Sequence, residues 1–157
     1  MVQMLHVIVV AKKHLFFTHL LGRSAAIVTT MDEAVFRAYI AEFNAANFDA
    51  LTRYYADDVV FSFNGGLTLT GRDAIVGFYR PFRAAVDETV DIRFLVMDDK
   101  HVAVEMATEF RARADYQNFT RGPLKAGDTV RITSFVHYDI GPDGRFTSIR
   151  VGRYGDG

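Results

Sequence analysis

Four stretches of the C-terminal half, residues 89–97, 102–112, 129–140 and 146–154, alternate apolar and polar side chains with the two-residue period of a β-strand. Turn signals at Asp98-Asp99 and Gly141-Pro142-Asp143-Gly144 separate two of the pairs. The preceding segment has helical spacing instead, so the order helices first, then strands predicts an α+β domain and not alternating βαβ units.

Thr30 and Glu33 are spaced as a capping box, and Val35, Phe36, Tyr39, Ile40 and Phe43 follow as one apolar stripe on a helix ending near Ala46. Asn47-Phe48-Asp49 reads as a break and a new cap, with Leu51, Tyr54 and Tyr55 forming the apolar side of a second, short helix closed by Asp57-Asp58. Residues 59–63 then predict a strand that turns at Asn64-Gly65-Gly66 into a short return, residues 67–69. Thr70 and Asp73 are placed to cap a third helix with Ala74, Ile75, Phe78 and Phe82 inward, kinked or shortened at Pro81. Residues 116–128 lack periodicity and carry Gly122, Pro123 and Gly127, as expected of a mobile connection, rim or lid between two strands.

Residues 1–30 contain no Asp or Glu, while Lys12, Lys13 and Arg23 interrupt their apolar runs. A membrane span needs about 20 consecutive apolar residues, so a spanning helix is not expected. The segment reads either as a signal or transit peptide, with Ser24-Ala25-Ala26 as the small-residue site, or as an extension ahead of a start at Met31. The second reading is preferred, giving a 1–30 extension and a 31–157 domain, expected to be cytoplasmic.

With 18 basic and 19 acidic residues the net charge is −1, which gives no overall field for nucleic acid or an anionic membrane. The absence of cysteine removes thiol nucleophiles, disulfides and cysteine metal sites. His6, His14, His19, His101 and His137 lack paired-ligand spacing, and Gly65-Gly66 has no following lysine, so neither a metal nor a nucleotide cofactor is expected.

Three motifs sharpen the assignment: residues 38–49 (AYIAEFNAANFD), residues 55–61 (YADDVVF), and Gly71-Arg72-Asp73-Ala74-Ile75 followed by Phe78-Tyr79. In these and in element order the chain from Met31 to about Tyr154 resembles the SnoaL-like and ketosteroid-isomerase-like branch of the nuclear transport factor 2 superfamily. The resemblance implies a cone-shaped roll, about three helices on a strongly curved, mainly antiparallel sheet around an apolar pocket, often dimeric through the sheet. The superfamily hosts isomerases, cyclases, dehydratases, epoxide hydrolases and binders, so fold alone does not give activity.

By the same resemblance Tyr39 falls where ketosteroid isomerases keep an oxyanion-donating tyrosine, although a buried tyrosine is equally a core aromatic whose hydroxyl caps a neighbour. The isomerase base falls at Phe63 and its second carboxylic acid near Val136, so both carboxyls are expected to be missing. Strand alternation turns Val104, Met106, Thr108 and Phe110 inward, with Glu105, Glu109, Arg111 and Arg113 outward as a dimer or solvated face. It does the same for Ile132, Ser134 and Val136, and for Ile149, Val151 and Arg153. Tyr55, Ser62, Asn64 and Tyr79 complete the expected binding set. His137 is outward by alternation but inward beyond a bulge, where it would carry a proton. Arg153 either anchors a polar substrate group or pairs with Asp57 or Asp58.

Three functions fit these residues. One is a cofactor-independent isomerase, cyclase, dehydratase or hydrolase acting on an apolar cyclic molecule, with Tyr39, Arg153 and His137 as its machinery. The others are a non-catalytic binder of a small apolar or aromatic molecule, favoured by the missing base, and a homodimeric interaction subunit.

Overall fold

In the computed structural model, residues 30–64 and 66–156 are described, and the expectations for residues 1–29 lie outside the described residues. Helix α1 (Glu33–Asn44) starts after Asp32, whose Oδ1 accepts the Val35 N–H at 2.8 Å. This replaces the expected Thr30 cap, a carboxylate at a helix N-terminus being favoured by the helix dipole as well as by the hydrogen bond. Glu33 pairs instead with Arg37 at 2.8 Å. Phe36, Tyr39 and Ile40 are buried on the predicted stripe, with Val35 and Phe43 partly covered.

Helix α2 (Phe48–Leu51) is capped by Asn47, which accepts the Ala50 N–H, and continues as a 3₁₀ turn, Thr52–Tyr54. Strand β1 (Tyr55–Phe63) begins four residues before the expected start, which moves Tyr55 from helix to sheet. A register shift between Tyr55 and Val60 accommodates Asp57 and Asp58 as exposed strand residues, so they do not end a helix. After β2 (Leu67–Thr70), Gly71 precedes α3 (Arg72–Ala85) with φ of 88° and no side-chain cap, correcting the expected Thr70 and Asp73 arrangement. Only glycine takes that backbone region freely.

Helix α3 is rotated from its predicted register. Ile75, Phe82 and Arg83 are buried and Tyr79 partly so, whereas Ala74 and Phe78 are exposed. Pro81 does not shorten the helix: it is exposed, and so is Gly77, whose carbonyl loses its usual backbone partner to the proline.

The open six-stranded sheet has the order β2-β1-β6-β5-β4-β3, with β3 (Val86–Met97), β4 (His101–Ala112), β5 (Thr129–Ile140) and β6 (Phe146–Asp156). Every neighbouring pair is antiparallel except β1 and β6. Further register shifts at Ile92/Phe94, Thr133/Ser134 and Asp139/Ile140 bend the long strands over the helices.

One core cluster joins α1 to the sheet through Phe36, Tyr39, Tyr55, Tyr138 and Phe146. A second gathers Phe82, Phe110, Leu124 and Ile132 beneath residues 113–128. That connection is stitched by reciprocal Tyr116 and Leu124 backbone bonds of 2.9 Å and by Asp115 to Lys125 at 2.8 Å, and it forms a wall over the core. Asn44 clamps α1 to β3, donating to the Val90 carbonyl at 2.9 Å and accepting the Val90 N–H at 2.8 Å. No described helix is long and apolar enough to cross a membrane.

Candidate functional site

Between the helices and the concave sheet lies a cavity of about 80 Å³. Met106 and Thr108 of β4, Ile132, Ser134 and Val136 of β5, and Ile149 and Val151 of β6 line it, as alternation predicts. Tyr39 of α1 and Tyr79 of α3 close the helical side, beside Tyr55 at the start of β1. Val104 is buried in the core and does not reach the cavity. Ser62 is also outside it, because Phe61 and Phe63 take the inward positions of β1 and the residue between them faces away.

The tyrosine hydroxyls form the polar end. Tyr39 and Tyr55 place their hydroxyls 3.2 Å apart in a buried pair, and the Tyr39 ring lies 6.0 Å from those of Tyr55 and Tyr138. Burial, followed by the neighbouring Tyr138, pushes the Tyr39 hydroxyl well above its usual range; burial does the same to Tyr55, Tyr79 and Tyr138. All four therefore stay protonated near neutral pH. The Tyr39 hydroxyl is also hydrogen-bonded to Tyr138, so the three hydroxyls form a chain, and such a chain keeps one O–H at its end to donate to a ligand.

A carboxyl faces the same cavity, where none was expected. Glu88 lies on β3 with Val86 and Val90 turned the same way, and it is 7% exposed. Its Oε2 is buried and makes no hydrogen bond among the described residues. The Arg83 guanidinium is 3.9 Å away, beyond hydrogen-bonding reach, and is committed to the carbonyls of Phe43 and Asn44 at 3.1 and 2.9 Å. Burial raises the Glu88 carboxyl to about 7, the Arg83 charge opposing that rise. A carboxyl that titrates near neutrality suits proton transfer at physiological pH. Phe63 and Val136, where the resemblance located the two missing carboxyls, are apolar walls of the same cavity. Glu88 escaped notice because the expected strand began at Thr89; the alternation of Val86, Glu88 and Val90 is the signal that finds it.

His137 is on the outer face. Its Nδ1 meets the Arg150 guanidinium and lies 3.4 Å from Asp139, and its ring is 5.6 Å from that of His101. The register shift of β5 falls in its pairing with β6 at Thr133/Ser134 and leaves the β4 pairing continuous, so alternation holds and His137 is not brought to the cavity. Arg153 is exposed, donates its backbone N–H to Asn64 Oδ1 at 2.9 Å, and with Asn64 lines a neighbouring cavity of about 90 Å³. Asp57 pairs with Arg72 at 3.1 Å. Among the described residues no group of His, Asp or Glu is arranged to hold a metal ion.

The outer face also carries Phe94, Val96, Phe135 and Tyr154, each more than half exposed, with the Phe135 and Tyr154 rings stacked at 4.4 Å. Glu109 and Arg131 pair on it at 2.6 Å.

Comparison with known proteins agrees with this architecture. A candidate polyketide cyclase from Xanthomonas campestris pv. campestris superposes with a TM-score of 0.65 at 21% identity, over 75% of this chain and 86% of that one. A LEH-like epoxide hydrolase from M. tuberculosis gives 0.61 at 17% identity, over 76% and 79% of the two chains. An epoxide hydrolase/cyclase-like enzyme of pyran ring formation in the polyether salinomycin gives 0.62 at 20%, over 77% and 88%. At these identities the likeness is one of fold. No curated protein matches by sequence. The family described as SnoaL-like domain matches residues 36–149, most of the described chain, and the protein belongs to that family.

Proposed function

We propose that this protein is a cofactor-independent enzyme that moves a proton on a small, largely apolar cyclic molecule, with Glu88 as the acid–base group and Tyr39, supported by Tyr55, as the donor to a developing oxyanion. The observation that carries the reading is the buried Glu88 Oε2, left without a hydrogen bond in a cavity that also holds paired tyrosine hydroxyls. A carboxyl serving only to neutralise Arg83 would be expected to hydrogen-bond it, and this one does not. Abstraction of a proton beside a carbonyl needs a base at the carbon and a donor at the oxygen, and the two groups supply both. The proton taken by the Glu88 carboxylate returns to the substrate in an isomerisation, or to a leaving oxygen in a dehydration or ring closure.

The test is deuterium exchange in D₂O, followed by NMR, on cyclic ketones. Exchange should rise with pH through about 7 as Glu88 ionises. Glu88→Gln should lower it by roughly 10²–10⁴-fold, and Tyr39→Phe by a smaller factor. Exchange no faster than in buffer, with ligand bound, would return the protein to the class of binders.

We further propose that the protein is a homodimer through the outer sheet face. Four exposed apolar side chains on one sheet face are the support, because soluble monomers rarely leave such a patch open. Phe135→Asp is expected to halve the mass measured by light scattering without changing the circular dichroism. A wild-type mass of one chain contradicts the proposal.

A further inference from the structure

The 80 Å³ cavity adjoins a second chamber of about 90 Å³, and the two share a wall that includes Phe61, Phe63, Tyr79, Glu88 and Phe110. Among the described residues lining either chamber, Glu88 is the one carboxyl. The inner chamber is deep and holds the tyrosine pair with Thr108 and Ser134. The outer chamber is aromatic, built on Phe82, Phe110 and Phe119, whose rings pack together at 5.1–6.2 Å. Phe78, Asn118 and Thr120 at its rim are exposed, so this chamber is the side open to solvent.

We infer that the outer chamber is a specificity site that admits a single flat ring and delivers its oxygen-bearing end to Glu88 and the tyrosines. The inference rests on the catalytic reading above only for what happens after the ring arrives. Two observations point to it. Aromatic walls favour a flat unsaturated ring through edge and face contacts, and they offer no hydrogen-bond donor to an anionic group. Size sets the limit: an apolar cavity of about 150 Å³ holds one benzene ring. Each chamber alone is smaller than that, so a ring seated in the outer one has to reach past the residues lining both to place its oxygen at the inner one. Phe119, carried on the connection between β4 and β5 and packed against Phe82 and Phe110, is the roof that a fused second ring has to displace to sit between these aromatic walls.

The experiment is titration calorimetry at pH 5, well below the point at which Glu88 ionises, with three ketones of increasing ring number: 2-cyclohexen-1-one, 1-tetralone and estrone. Wild-type protein should bind the one-ring ketone, bind 1-tetralone several-fold more weakly despite its larger apolar area, and not bind estrone. Phe119→Ala should shift the ratio about ten-fold toward 1-tetralone by opening the roof. Phe78→Ala, at an exposed position where folding is not at risk, should shift it the same way by less. Wild-type affinity that rises with ring number overturns the inference. So does a ratio unchanged in both variants, or no binding of 2-cyclohexen-1-one. Size-limited binding without deuterium exchange would instead sink the catalytic reading and leave this inference standing, and exchange without size limitation would do the reverse.

Discussion

Glu88→Gln should stabilise the protein at pH 8 and leave it nearly unchanged at pH 4. The folded carboxyl titrates at about 7 against 4.5 as its ordinary value, because burial penalises the charged form. Between those pH values the unfolded chain has released the proton that the folded chain retains, so stability falls as pH rises through the window and the full loss is present above it. The loss is on the order of 3 kcal/mol. Glutamine keeps the shape and the neutral state, so the variant should melt roughly 10 °C higher at pH 8, with the gap closing toward pH 4. A melting difference independent of pH would show that Glu88 does not titrate with folding. A gain in stability coupled to loss of proton exchange would mark a group retained for chemistry at a cost to the fold.

The largest stability loss is expected at Phe36. It is fully buried at the junction of α1 and the sheet, its ring 5.2 Å from that of Tyr138 in an edge contact and 6.2 Å from that of Phe146. Phe36→Ala removes this packing and leaves a void among side chains that are themselves ring-packed, costing about 3–5 kcal/mol. That is a large share of the roughly 5–15 kcal/mol that holds such a domain. The urea midpoint should fall with the slope of the transition unchanged. A loss under about 1 kcal/mol would mean that the cluster collapses to fill the space.

The strand faces were legible in the sequence because backbone geometry enforces their period. Met106, Thr108, Ser134 and Val136 all reach the cavity that alternation assigned them. Helix faces and caps were less legible. The spacing of Thr30 and Glu33 pointed to the wrong cap, since Asp32 two residues on takes that place, and Tyr79 and Phe78 are neighbours on a helix whose rotation is set by what it packs against. Glu88 was hidden by a missing turn. Helix α3 passes from Ala85 straight into β3 at Val86, so no glycine, proline or asparagine marks the change, and a charged residue there reads as part of a connection. His137 needed pairing register as well as alternation, since a bulge in the β4 pairing would have reversed it.

The Asn44 clamp on Val90 bears on how the proposed chemistry tolerates change. Tyr39 sits five residues before Asn44 on α1, and Glu88 two residues before Val90 on β3. Two hydrogen bonds from one side chain, reinforced by Arg83 on the last carbonyls of the same helix, brace these elements from behind. The separation of the hydroxyl and the carboxyl is thus fixed by residues outside the wall of the cavity. Substitutions in its apolar lining are therefore expected to change the shape of the cavity while leaving the proposed donor and base where they are.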